Sequence, residues 1–181
     1  GAAAGIAACG KIPFVATFAA FFTRAYDFIR MAAISQSNIK LVGTHVGVSI
    51  GEDGPSQMGL EDLAMMSTQP GVTVLYPSDG LSMYKLMESA TAHKGMVYLR
   101  AGRPKTPVIY GADETFKIGG SKILRQSAAD QLTIVAAGVT LFEALKAHDQ
   151  LKAAGIATRV VDLYSIVPVD QATLIDCARA T

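Results

Sequence analysis

A histidine, two acids and an amide sit together in residues 44–57, Thr44-His45-Val46-Gly47-Val48-Ser49-Ile50-Gly51-Glu52-Asp53-Gly54-Pro55-Ser56-Gln57. The imidazole of His45 can donate or accept near neutral pH, the carboxylate of Asp53 accepts from hydroxyls, and the amide of Gln57 does both without titrating. Together they suit recognition of a polyhydroxylated ligand. Gly47, Gly51 and Gly54 let the backbone turn sharply or approach a ligand closely. The polar groups follow neither a helical nor a strand period, so the segment reads as a shaped loop, with Val46, Val48 and Ile50 as its apolar anchors.

Two further groups could act with this loop. Phe18, Phe21 and Phe22 offer aromatic faces for a flat ring. Arg100 and Arg103, with Lys105, form a local basic cluster, and a guanidinium fork fits phosphate oxygens. Helical spacing alone favours the phenylalanines as a core stripe, and exposed arginines at a strand end are often only solvated. Cys9 and Cys177 lie at opposite ends without metal-site spacing and are expected as buried, reduced thiols.

Positioning these groups requires an alternation of strands and helices. Strands are expected over residues 12–18, 39–42, 72–76 and 96–100. A helix with apolar residues at Phe18, Phe21, Phe22, Ala25, Phe28, Ile29 and Ala32 should follow the first, and a short helix spans 60–67. Ser78 or Asp79 can cap a helix whose inner face is Met83, Leu86, Met87 and Ala90 and which closes at His93, Lys94 and Gly95. Residues 104–120 are turn-rich and read as a linker. Beyond them, strands at 132–136 and 158–162 alternate with helices at 140–154 and 170–180. This is an α/β pattern, a mostly parallel sheet with flanking helices followed by an incomplete second α/β domain. Ligands of such sheets bind beyond the carboxyl ends of the strands, where the glycine loop begins.

The composition narrows the partners. Of 181 residues half are hydrophobic and 17% charged, and the net charge of +1 offers no electrostatic reason to bind nucleic acid or an acidic membrane. Charged residues and glycines break the apolar runs well short of the roughly 20 residues of a membrane span. The N-terminal residues 1–9 are apolar without a basic leader and read as a helix entered midway, which implies more chain upstream.

Thr17-Phe18-Ala19-Ala20-Phe21-Phe22-Thr23-Arg24-Ala25-Tyr26-Asp27, then Thr44-His45 and Gly51-Glu52-Asp53-Gly54-Pro55-Ser56-Gln57, resemble transketolases, especially those of animal type. The resemblance continues through Ala137-Gly138-Val139-Thr140 and Ala178-Arg179-Ala180-Thr181. It implies a pyrimidine-binding domain at 1–103, a linker at 104–120 and an incomplete C-terminal domain at 121–181. The implied reaction is thiamine diphosphate-dependent transfer of a two-carbon ketol unit between sugar phosphates.

By the same resemblance Phe21 packs on the aminopyrimidine ring of the cofactor, Phe18 lines that pocket, and Gln57 approaches the amino group. Phe22 and Phe28 are left to the core. His45 and Asp53 meet the sugar, and Arg103 grips its phosphate, with Arg100 as the alternative; Ala101-Gly102 stands where relatives usually carry a hydroxyl residue. The family's catalytic glutamate would lie upstream of Gly1, so no catalytic residue is assigned on this chain. The Gly-Asp-Gly motif and downstream asparagine that hold the diphosphate and its Mg2+ or Ca2+ are also missing, Asn38 being the only asparagine. No metal ligand is therefore expected here. A homodimer partner or complementary N-terminal domain should complete the site, and the segment alone should be inactive. Cytoplasmic residence follows from the family. The alternatives are a noncatalytic transketolase-like interaction module, or another thiamine-dependent enzyme such as deoxyxylulose-phosphate synthase or a 2-oxoacid dehydrogenase β chain.

Overall fold

A computed structural model describes residues 1–181 and contains two sheets. Five strands, β1 (Phe14–Phe18), β2 (Lys40–Thr44), β3 (Thr73–Leu75), β4 (Val97–Arg100) and β8 (Ser165–Val167), form the larger in the order β1-β2-β4-β3-β8. The first four run parallel, with Phe18 opposite Thr44 and Gly43 opposite Arg100. This register brings the carboxyl ends of β1, β2 and β4 to one edge, so the segments that follow them meet there. The smaller sheet orders β5 (Lys122–Arg125), β7 (Thr158–Asp162) and β6 (Leu132–Ala136). The α/β class is as the alternating pattern predicts.

The helices are α1 (Ala2–Ala8), α2 (Tyr26–Ile34), α3 (Asp62–Ser67), α4 (Gly80–Ala92), α5 (Thr140–Ala153) and α6 (Gln171–Ala180). None is long and apolar enough to cross a membrane. At α4 the cap is Asp79, whose carboxylate accepts from the Ser82 amide at 2.7 Å while Ser82 Oγ accepts from the Asp79 amide at 3.0 Å. Such a reciprocal box satisfies donors that the first turn leaves free. At the other end Lys40 Nζ donates to the carbonyls of His93 and Gly95, at 2.7 and 2.6 Å, and to Asn38 Oδ1. The cation expected in the last turn thus comes from a neighbouring strand. Burial lowers the Lys40 ammonium to about 8.

Several expectations are corrected. The single helix after β1 is instead a 3-10 segment, Ala19–Ala25, followed by α2. At three residues per turn Ala19 and Phe22 point inward, whereas Phe18, Phe21 and Arg24 share the other side. Phe28, read as core, is exposed, because the buried stripe of α2 is Ile29, Ala32 and Ala33. Met87 and Val48 are also exposed. Cys9 is exposed at the end of α1, and only Cys177 is buried. Strands β5 and β8 were not expected, and β8 crosses from the C-terminal part of the chain to pair antiparallel with β3.

The two parts meet through buried polar groups. Ser78 Oγ donates to Asp162 Oδ1 at 3.0 Å, the Tyr110 hydroxyl donates to Asp162 Oδ2, and Asp79 Oδ2 accepts from the amides of Ile109 and Tyr110. Burial, with Asp79 nearby, pushes the Asp162 carboxyl up to about 6. Gly138, at φ 57°, lies where any Cβ would collide with the Tyr76 ring, so glycine is required for this approach.

Candidate functional site

The loop after β2 is closed at its base. Val46 bridges Gly59, with the Gly47 amide 2.8 Å from the Gly59 carbonyl and the Gly59 amide 3.1 Å from the His45 carbonyl. Val46 and Ile50 are buried and anchor the loop. Gly59 is pressed on Ala19, where a Cβ would collide, and this fixes the loop against the 3-10 segment that carries Phe21. His45 adopts φ 57°, a conformation uncommon for a residue with a side chain and one that tends to mark ligand sites.

Five of the six residues singled out in the sequence form one chain of contacts. Phe18 and Phe21 stack with centroids 5.1 Å apart, and Phe18 lies against the His45 ring at 3.7 Å. Phe21 stays 37% exposed, with the Arg24 guanidinium 5.7 Å from its centroid. His45 Nε2 faces Asp53 Oδ2 at 3.8 Å, and Arg103 Nη1 lies 2.9 Å from the same oxygen. Gln57 follows in the 3-10 turn Pro55–Gln57, which packs on the 3-10 segment bearing Phe21; its amide oxygen accepts from Ser56 Oγ.

The polar contacts orient the His45 ring toward Asp53. Thr44 Oγ1 lies 3.4 Å from the Thr17 carbonyl and shares a 3.0 Å hydrogen bond with His45 Nδ1. Nδ1 is thereby held at Thr44, and Nε2 is the ring nitrogen turned toward Asp53. Asp53 Oδ2 is buried and accepts no hydrogen bond, because Arg103 reaches it at ion-pair distance but outside hydrogen-bond alignment. His45 Nε2 and this carboxylate oxygen face each other across 3.8 Å.

The arginines differ sharply. Arg100 is buried, with Nε 2.7 Å from Asp62 Oδ2, Nη2 3.1 Å from Oδ1 and 3.0 Å from the Gly59 carbonyl, and its guanidinium over the Tyr76 ring at 4.5 Å. Tyr98 donates to the same carboxylate at 2.7 Å, and burial together with Asp62 raises its phenol. Arg100 is thus spent on holding α3 and the loop base. Arg103 is part-exposed and touches Glu52 Oε1, Asp53 Oδ2 and the Ile50 carbonyl, each at 2.9 Å. Beside it, at the start of α4, a cavity of about 440 Å3 is bordered by Ser78, Ala101, Gly102 and Lys105.

The sequence leaves Glu52 open between a role in the loop and one in a subunit contact, and gives no sign that Thr44 holds the imidazole. Glu52 adjoins Asp53 in the chain, a proximity that could have paired it with the same arginine. Its carboxyl is held below the usual range by its own backbone amide and by Arg103.

Residues 1–108 match the family "Transketolase, pyrimidine binding domain", and residues 121–181 match "Transketolase, C-terminal domain". The chain belongs to the transketolase family. It is 56% identical over 180 residues to transketolase-like protein 2 of Mus musculus, covering 99% of this chain and 29% of that protein. With the transketolase of Rattus norvegicus it shares 55% identity over 170 residues, 94% of this chain and 27% of the relative. The chain therefore spans less than a third of these relatives.

Among solved structures, a split-gene transketolase described as an inactive β4 tetramer superposes with a TM-score of 0.91 at 38% identity, covering 99% of this chain and 58% of that one. The Pichia stipitis transketolase in complex with sedoheptulose 7-phosphate gives a TM-score of 0.75 at 29% identity, covering 87% and 24%.

Proposed function

We propose that this chain contributes the pyrimidine and sugar contacts of a transketolase and acts with a chain or domain that supplies the rest of the site. The observation that carries this reading is the facing pair of polar groups, His45 Nε2 and Asp53 Oδ2, the latter ion-paired with Arg103 but without a hydrogen-bond donor. A sugar hydroxyl can donate to Asp53 Oδ2, supplying the hydrogen bond that oxygen lacks, while a second oxygen of the sugar meets His45 Nε2. Arg103 closes the same end and is assigned the sugar phosphate, in preference to Arg100, which is fully engaged on Asp62.

The residues present fit thiamine diphosphate on its ring side only. Phe21, exposed and stacked on Phe18, offers an aromatic surface to the aminopyrimidine, and Gln57 packs beside that segment. When bound, the cofactor supplies the carbanion-stabilising chemistry of ketol transfer. Gln57 orients the ring without exchanging a proton, His45 and Asp53 hold the sugar, and the loop walls limit water. No group of three His, Cys, Asp or Glu side chains is placed to hold a metal ion, so the diphosphate and its Mg2+ or Ca2+ are assigned to the complementary part.

The division into residues 1–103, 104–120 and 121–181 belongs to this proposal. So does a homodimeric or complementary partner, for which α2 offers an exposed apolar row of Phe28, Met31 and Ile34. Cytoplasmic residence is proposed on the family alone.

A noncatalytic subunit is the second reading, favoured by the structural neighbour described as an inactive tetramer. Reconstitution separates the two. The chain is combined with a transketolase N-terminal half that includes the upstream glutamate, and ketol transfer from xylulose 5-phosphate to ribose 5-phosphate is followed. Transfer with the pair and none with the chain alone is expected. A folded complex that stays inactive would overturn the catalytic reading.

A further inference from the structure

A second polar cavity lies in the C-terminal part, on elements that contribute nothing to the loop site. It measures about 230 Å3 and is lined by Arg125 at the end of β5, by Gln126 and Ser127 after it, by His148 and Lys152 on α5, and by Thr158 at the start of β7. His148 and Lys152 are four residues apart on the helix and so share one face.

The acid in this cavity is already committed. Asp130 accepts from the Ser127 amide at 2.9 Å, from Ser127 Oγ at 2.7 Å and from Arg159 Nε at 3.2 Å, and its carboxylate is 2% exposed. The Arg159 pair neutralises it, and its carboxyl, despite burial, is held below the usual range by Ser127 and Arg159. No carboxylate lies within ion-pair distance of Arg125 or Lys152, since neither takes part in a salt bridge. The one side-chain hydrogen bond of Arg125 runs from Nη1 to the adjacent Leu124 carbonyl, which leaves most of its fork free.

The imidazole is oriented as well. His148 Nδ1 lies 3.1 Å from the Thr158 carbonyl and 2.7 Å from Thr158 Oγ1. A carbonyl can only accept, so Nδ1 carries the proton and Nε2 is the nitrogen left for a ligand. A protonated phosphate oxygen can donate to it.

We propose that this cavity is an anion site that takes a phosphate group, either free phosphate or the end of a small phosphate monoester. Arg125 supplies a guanidinium fork, Lys152 a point charge, and Gln126 a neutral donor. The site is separate from the sugar contacts proposed above, and its test does not depend on turnover.

The 15N-labelled protein is titrated at constant ionic strength with inorganic phosphate, then with glycerol 2-phosphate, and with sodium chloride as the control. Saturable shifts at Gln126, His148 and Thr158 are expected with either phosphate; the tighter of the two identifies the source. Lys152→Glu and Arg125→Glu should each weaken the apparent Kd about tenfold or more. The neutral variants Lys152→Met and Arg125→Met guard against misfolding and should weaken it less, while Lys11→Glu in the N-terminal part should leave it unchanged. Absence of saturation, equal shifts with chloride, or an unchanged Kd in folded Lys152 and Arg125 variants would overturn the site.

Discussion

The ring of His45 lies on the ring of Phe18, with centroids 3.7 Å apart and planes 22° from parallel, so a residue assigned to the sugar rests on one assigned to the cofactor. The two roles are nevertheless separable, because the stack uses the imidazole face and the polar contact uses its edge. In the reconstituted enzyme, His45→Ala should reduce kcat/KM for the sugar about 10- to 100-fold, the size of a lost hydrogen bond in a buried charged setting. Thiamine diphosphate affinity should fall only a few-fold, since aromatic contact is worth about 0.5–1.5 kcal/mol. Steady-state kinetics and cofactor titration check both; an unchanged sugar dependence rejects the contact.

Arg100, Asp62 and Tyr98 form a buried cluster beneath the loop. Removing the carboxylate strands a guanidinium and a phenol in the core. Asp62→Ala should cost about 3–5 kcal/mol in urea unfolding, as loss of one partner of a buried pair does. Replacing the pair by Met and Leu should recover much of that. Recovery would identify the damage as an unpaired charge, whereas a cavity effect alone would leave the double variant as unstable.

The larger sheet was legible because Val15, Leu41, Val74 and Leu99 fall in short apolar runs separated by helical patterns, and such runs can be read locally. The convergence of Phe18, His45 and Arg103 follows from parallel β1, β2 and β4 ending at one edge. The change from 3-10 to α geometry near Ala25 was not legible, since an apolar residue every third or fourth position fits both. Strand β8 has three residues, too few for a period. Nothing local announces that Ser78 donates to Asp162, because that bond depends on how two distant turns pack.

Asp162 gives stability an unusual pH dependence. Its folded value, raised to about 6 by burial, exceeds the roughly 3.9 of an unfolded aspartate, so between these values the folded chain binds more protons. Its contribution is fully present below pH 4 and is lost as pH rises through 6, by about 3 kcal/mol in all. His93, lowered by burial and by Lys40, works in the opposite direction below pH 6.5. The difference between the protein and Asp162→Asn isolates the carboxyl: their Tm values should diverge as pH rises from 4.5 to 7, in favour of the variant. Parallel Tm curves would exclude this linkage.

On the proposed phosphate role of Arg103, Glu52 and a sugar phosphate compete for one cation. Its carboxylate is exposed and lies 2.9 Å from Arg103 Nη1, the same nitrogen that reaches Asp53 and the Ile50 carbonyl. Binding a phosphate there exchanges the Glu52 contact for a stronger one, while the Asp53 contact can persist. Exposed ion pairs are weak, so Glu52→Gln should lower the KM of a phosphorylated acceptor by up to about fivefold. An acceptor without phosphate, such as glycolaldehyde, should show no gain, and the gain with ribose 5-phosphate should shrink as ionic strength rises. An equal change for both acceptors would mean that Glu52 acts through the loop and not through Arg103. A rise in KM confined to the phosphorylated acceptor would mean that Glu52 positions Arg103 for phosphate instead of competing with it.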